Sequence, residues 1–251
     1  MRIVLNIEYD GTNYAGWQCQ ENAATIQEEI EKAIFAVTKE RVRIHGAGRT
    51  DAGVHALSQV AHFDTGSFIP PEKFAFALND ALPDDISVQS SFAAPEGFHA
   101  RYSASGKHYR YVIRNARQRS ALFSGRSMPV HPPLDTEKMQ AGAAYLVGKH
   151  DFSSFCAAHT NVRDMVRTVY SIDVARWGVY IAIDIKGNGF LYNMVRIIAG
   201  TLILVGQGKL KPQDVRWILQ ERDRGAAGPT AKARGLFLMG VEYDKGYTSC
   251  E

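Results

Sequence analysis

The 251-residue sequence predicts an α+β fold: two ferredoxin-like, RRM-like β-α-β-β-α-β halves forming a central mixed, mainly antiparallel sheet flanked by helices. Three observations predict it. Segments whose apolar residues alternate with period two are interleaved with segments of period 3.6. These segments run β-α-β-β-α-β twice, with no repeat of the sequence itself. A loop rich in small and polar residues, "AAPEGFHARYSASG", separates the two series. The halves are expected at residues 1–94 and 106–251.

The elements follow in order. "RIVLNIEYD" alternates as a strand, and "TIQEEIEKAIFAVTK" is an amphipathic helix whose Thr25 and Glu28 have capping-box spacing. The strands "VRIHGAGR" and "SQVAHFDT" come next, then a helix "PEKFAFALNDAL" with Pro71 near its first turn, and a strand "ISVQSSF". The second series is the strand "KHYRYVIRN", the helix "DTEKMQAGAAYLVG", the strands "VRTVYSIDVAR" and "VYIAIDIKG", and the helix "FLYNMVRIIAGTLILVG". An added helix, "PQDVRWILQERD", precedes the last strand, "LFLMGVEYD". This topology places a sheet face within reach of nucleic acid in RNA-recognition modules, although unrelated proteins share it.

Composition narrows the functional classes. With 45% apolar and 22% charged residues the chain has ordinary globular proportions, and a formal charge of +3 is only mildly basic, so a nucleic-acid reading must rest on where the charges lie. Cys19, Cys156 and Cys250 are odd in number and far apart, with no ligand spacing, so neither a disulfide framework nor a metal site is expected. The polar residues Asn6 and Glu8 interrupt any signal-peptide core, and no run approaches the ~18 apolar residues of a membrane span. A soluble, cytoplasmic protein is expected.

The stretch "RVRIHGAGRTDAGVHALSQVAHFDT" begins like a dinucleotide-binding fingerprint, with Gly46 and Gly48, but has Asp51 where the third glycine belongs. A dinucleotide-binding unit needs a helix directly after its glycines and a long crossover. Here only a tight turn fits before the next strand, so Asp64, at a tempting distance for a ribose-binding acid, has no helix end to work with. Gly46, Gly48 and Gly53 instead keep bulk away from Asp51, the only acid between Glu40 and Asp64, which sits among Arg41, Arg43 and Arg49. If strand geometry persists, Arg49 and Asp51 share a face at i, i+2. The pair either braces a turn or presents an anionic carboxylate as nucleophile or base.

Two further regions stand out. From Gly97 to Leu134 there is no Asp or Glu, while Arg101, Lys107, Arg110, Arg114, Arg117, Arg119 and Arg126 interleave with Phe98, Tyr102, Tyr109, Tyr111 and Phe123. Cations grip phosphates and aromatic faces stack on unpaired bases, so the region suits an unstacked polynucleotide; an Arg-rich solvated strand with core tyrosines is the plainer alternative. The apolar helix near the end carries a single charge between Lys186 and Lys209, Arg196, which either snorkels to solvent or pairs with a buried anion such as Asp51.

Together "YDGTNYAGWQ", "GAGRTDAGVHA", "FHARYSASGKHYRYVI", "FLYNMVRIIAG" and "TAKARGLFL" resemble the tRNA pseudouridine synthases of the TruA type over nearly the whole chain. The resemblance implies that Asp51 is the catalytic residue, Tyr109 and Arg49 contact substrate, and Arg196 is the ion-pair partner of Asp51. It implies isomerisation of uridine to pseudouridine in the anticodon stem-loop of tRNA, at positions 38–40, by a homodimer without cofactor or metal. A catalytically silent RNA-binding protein would share the basic aromatic strand but have no use for Asp51, and a dinucleotide-dependent oxidoreductase would need bound NAD.

Overall fold

The computed structural model describes residues 1–158 and 163–244; Cys250 lies outside the described residues. The chain forms two compact units, one of Met1–Gly106 with the chain from Leu238 on, the other of Lys107–Phe237. The expected halves assigned the final strand to the second series, whereas most of its length groups with the first unit. Among the described residues no helix is long and apolar enough to cross a membrane.

The first unit contains β1 (Arg2–Tyr9), α1 (Ile26–Thr38), β2 (His45–Gly46), β3 (His55–Asp64), α2 (Phe74–Asn79) and β4 (Ile86–Ala93). Strand β1 lies between β4 and β3, antiparallel to both, and β2 pairs antiparallel with β3, which reproduces the 4-1-3-2 series of a ferredoxin-like sheet. Beside β3 runs β10 (Leu236–Tyr243). Helix α1 starts where its sequence says it should: the Thr25 side chain accepts a hydrogen bond from the Glu28 N–H. Ile26, Ile30 and Ile34, spaced at i, i+4 and i+8, are fully buried, each worth about 1.5–3 kcal/mol of apolar burial.

Two elements are shorter than their patterns predict. The strand "VRIHGAGR" shrinks to His45–Gly46 because the chain turns out of the ladder after Ala47, whose N–H still reaches the Val60 carbonyl at 2.7 Å. The helix "PEKFAFALNDAL" opens as a 3-10 turn, Pro71–Lys73, before the six residues of α2.

The second unit contains β5 (Ala104–Asn115), β6 (Met128–Val130), α3 (Thr136–Ala143), β7 (Gly148–Asp151), β8 (Val166–Trp177), β9 (Tyr180–Gly187), α4 (Met194–Gly206) and α5 (Asp214–Glu221). Its strand order is β5-β9-β8-β7, antiparallel throughout, with the short β6 parallel to β5. Neither β6 nor β7 is apparent in the sequence pattern. The expected helix "DTEKMQAGAAYLVG" ends early, and Gly148, at φ 112, turns the chain into β7. Helix α4 begins at Met194, four residues later than the apolar run, because Asn193 adopts the left-handed conformation at φ 60.

Within α4, Gly200 lies where a Cβ would run into the Pro229 carbonyl oxygen. A helix-interior Gly→Ala change ordinarily stabilises by about 1 kcal/mol. Here the sign should reverse: Gly200→Ala is expected to destabilise by about 1–3 kcal/mol through overpacking, read as a lowered Tm.

Candidate active site

The expected site residues divide two and two between the units: Asp51 and Arg49 in the first, Tyr109 and Arg196 in the second. Asp51 follows β2 in a segment with no ladder of its own, so the strand geometry that would have set Arg49 and Asp51 on one face is absent. A tight turn takes its place. The Val54 N–H donates to the Asp51 carbonyl at 3.1 Å, and Gly53, third in the turn, has φ 74, the position at which a type II turn requires glycine. Gly46 serves a different purpose from the one expected, since a Cβ there would sit 2.7 Å from the Trp17 indole, so it makes room for that ring and not for a ligand.

The turn is pinned from the N-terminal segment "YDGTNYAGWQ". Trp17 N–H donates to the Thr50 carbonyl at 3.1 Å, and Gly53 N–H donates to the Tyr14 carbonyl at 3.3 Å. Beneath them the Tyr9 hydroxyl and the Thr50 hydroxyl share a buried hydrogen bond of 2.7 Å. Gln59 Nε2 donates to the Gly48 carbonyl at 2.9 Å from the middle of β3. Burial pushes the Tyr9 phenol well above its ordinary range, with Thr50 and Gln59 pulling it partly back, so its O–H stays intact. On the far side of the segment, the first N–H groups of α1, from Ile26 and Gln27, donate to the Gly16 and Trp17 carbonyls. The helix start is thereby satisfied by the same strand of chain that holds the loop.

Asp51 is half-buried and Arg49 exposed. The Arg49 guanidinium makes no hydrogen bond or ion pair among the described residues. Asp64, the would-be ribose acid, is taken up by Arg2, whose Nε and second guanidinium nitrogen donate to its two carboxylate oxygens at 2.9 Å. That hydrogen-bonded guanidinium holds the Asp64 carboxyl below its usual range. With β3 starting directly after the turn, no helix N-terminus faces a pyrophosphate.

In the second unit, Tyr109 and Tyr111 point to one face of β5, as period two requires, but their surroundings differ. Tyr111 is wholly buried, and its hydroxyl donates to the Lys232 carbonyl at 2.7 Å. Burial pushes its phenol far up, and Arg196 and Arg234 pull it partly back. Tyr109 keeps 8% of its surface exposed and meets Phe190 edge-on at 5.2 Å. Arg196 lies on the first turn of α4. Its Nε donates to the Ala231 carbonyl at 2.8 Å, and one terminal nitrogen donates to Asn193 Oδ1 at 2.7 Å. The residue that delays the helix thus also orients the arginine.

The acid-free basic run is not uncompensated. Asp184 on β9 stands opposite Arg110 in register and receives Arg110 Nε at 3.0 Å and His108 Nε2 at 2.6 Å. Among the described residues no group of three His, Cys, Asp or Glu could hold a metal ion. The bracing residues Tyr9, Trp17, Thr50 and Gln59 were missed as a group because the sequence signal, the run "YDGTNYAGWQ", does not reveal that it packs against a loop some forty residues on.

A profile of the tRNA pseudouridine synthase family matches residues 6–103 and 143–244. The chain is 52% identical over 243 residues to a tRNA pseudouridine synthase A of Ruminiclostridium cellulolyticum, covering 96% of this chain and 99% of that protein. It is 49% identical over 241 residues to the protein of that name from Acetivibrio thermocellus, with 96% and 99% covered. The counterpart from Vibrio cholerae serotype O1 is 46% identical over 243 residues, with 97% and 92% covered.

Tyr9→Phe should leave the Thr50 hydroxyl buried without its partner and cost about 1–2 kcal/mol in urea unfolding, while Tyr9→Phe with Thr50→Val should recover much of that loss. Equal losses in the single and double variants would remove this hydrogen bond from the brace.

Proposed function

The chain belongs to the tRNA pseudouridine synthase family, and from that premise we infer that it isomerises uridine to pseudouridine in tRNA, with Asp51 as its catalytic carboxylate. The observation that carries this reading is a single acid, held on a braced turn and set among arginines. A loop built only to bind phosphate would have no place for that carboxylate, which repels it.

The reaction breaks the bond between ribose C1′ and base N1 and forms one between C1′ and C5. The proton on C5 is lost and N1 gains one, so composition and oxidation state are unchanged and the reaction calls for no cofactor. Asp51 serves as the carboxylate held against the sugar or the base. Arg196, already oriented by Ala231 and Asn193, is its ion-pair partner. Tyr109 lies at the reacting base, as a stacking surface or as a proton carrier at C5. Tyr111 has its hydroxyl committed to Lys232 and stays structural. A paired uridine must leave its stack to reach the carboxylate, an arginine of the basic region takes the vacated space, and Arg49, exposed two residues from Asp51, contacts the substrate. The substrate site is the anticodon stem-loop, positions 38–40, and the working unit is a homodimer in the cytoplasm.

The test is to incubate the protein with an unmodified tRNA transcript and map pseudouridine by position. Asp51→Asn should lower turnover at least about a thousandfold while leaving tRNA affinity within a few-fold, because the change is nearly isosteric and touches no phosphate contact. Useful residual turnover would sink the assignment.

Tyr109→Phe and Tyr109→Leu separate proton transfer from stacking. If the hydroxyl carries a proton, Tyr109→Phe loses roughly a hundredfold or more in single-turnover rate. If the ring only stacks, Tyr109→Phe is nearly as fast as the parent and Tyr109→Leu is slow. Tyr111→Phe should cost stability more than rate; a dead Tyr111→Phe beside an active Tyr109→Leu would move the site to Tyr111.

A further inference from the structure

Strand β5 has two faces, and only one belongs to the proposed site. Tyr109, Tyr111 and Ile113 share the buried face with Ile181, Ile183 and Ile185 of β9. Arg110, Val112 and Arg114 alternate onto the other face. There, at the end of the β8–β9 hairpin, three strands contribute one rung: Arg114 stands opposite Tyr180, and Tyr180 opposite Trp177.

The side chains of this rung are assembled already. The Trp177 and Tyr180 rings stack at 6.2 Å with 27° between planes. The Arg114 guanidinium lies 5.6 Å from the Tyr180 ring centre. Phe123, from the loop after β5, meets Tyr180 edge-on at 5.8 Å. Trp177 is nonetheless 48% exposed and Phe123 46%. The same loop carries Arg117, Arg119 and Arg126, all exposed, with no acid between Gly97 and Leu134. On this sheet face Asp184 lies four register pairs from Tyr180 and is engaged by Arg110 and His108, with the exposed Asp173 of β8 opposite it.

We propose that the Arg114–Tyr180–Trp177 rung, with Phe123, is a platform on which an unpaired nucleotide of the tRNA stacks, on the sheet face opposite Tyr109 and therefore distinct from the reacting uridine. The proposal rests on the reading above that the substrate is tRNA. Exposed aromatic faces accept any base, and the arginines supply phosphate contacts along the strand. Ring–ring and cation–π contacts hold the platform in place beforehand, which limits the ordering cost of binding. Charge selects the occupant: two copies of so basic a surface repel one another, whereas a polyanion is drawn to it.

The experiment is filter binding of an unmodified tRNA transcript to the full-length protein across a salt series, with sedimentation to follow mass. Trp177→Ala should weaken binding roughly tenfold or more, with Trp177→Phe restoring most of it. Arg114→Gln should flatten the dependence of log affinity on log salt by about one unit. Phe123→Ser is the second probe should the hairpin variant not fold. Affinity within twofold of the parent for Trp177→Ala and Phe123→Ser overturns the proposal. So does a fall in assembly mass in either variant, which would make this face a contact between copies of the chain. A parent protein that isomerises tRNA while Trp177→Ala binds it normally loses only this surface and keeps its proposed reaction.

Discussion

The hydrogen bonds that converge on Thr50 set the position of everything that follows it in the loop. The carbonyl takes the Trp17 N–H, and the hydroxyl shares a buried bond with Tyr9. A carboxylate can serve as a reacting group only if it is held to within a fraction of an ångström, and sites on loops are usually looser than sites on helices or strands. Here the loop borrows the rigidity of three elements. Tyr9 ends β1, Gln59 sits in β3, and the 14–17 segment is tied by its carbonyls to the first turn of α1. The shortness of β2 follows from the same arrangement, because the chain must leave the ladder for Thr50 to meet Trp17.

What the sequence made legible was local. The Thr25 cap, the alternation of β1 and β5, and the apolar stripe of α1 all depend on residues within a few positions of one another, and each appears in the structure close to where the pattern places it. The failures share a different cause. The late start of α4 turns on one residue, Asn193, whose left-handed conformation no apolar periodicity reports. The compensation of Arg110 by Asp184 depends on cross-strand register, which brings residues 74 apart into hydrogen-bond distance. Strands β6 and β7 are too short to show a period at all.

The candidate site was legible in a limited sense. Asp51 stands out as the one acid in a basic stretch, and that is a property of composition. Nothing in spacing distinguishes Tyr109 from Tyr111, because period two gives both the same face. The difference is tertiary: Tyr111 finds the Lys232 carbonyl and is closed off, whereas Tyr109 meets the edge of Phe190 and keeps some exposure. A hydroxyl already donating to a backbone carbonyl is poorly suited to proton transfer, since moving its proton would strand a buried acceptor.

The alternation of β5 also bears on how an enzyme of this kind can be basic without being basic everywhere. A strand that gives aromatic residues to one face must give its intervening residues to the other, and in β5 those are His108, Arg110, Val112 and Arg114. Arg110 and Arg114 therefore lie on the face away from Tyr109, while Lys107 shares its face. This separation suits the chemistry proposed for the site. Cations on the far face add affinity for a polyanion without touching Tyr109. On this reading the division of labour is a consequence of the pleat: Tyr109 and the arginines Arg110 and Arg114 occupy opposite sides of one strand, and the arginines can be altered without changing the face that carries Tyr109.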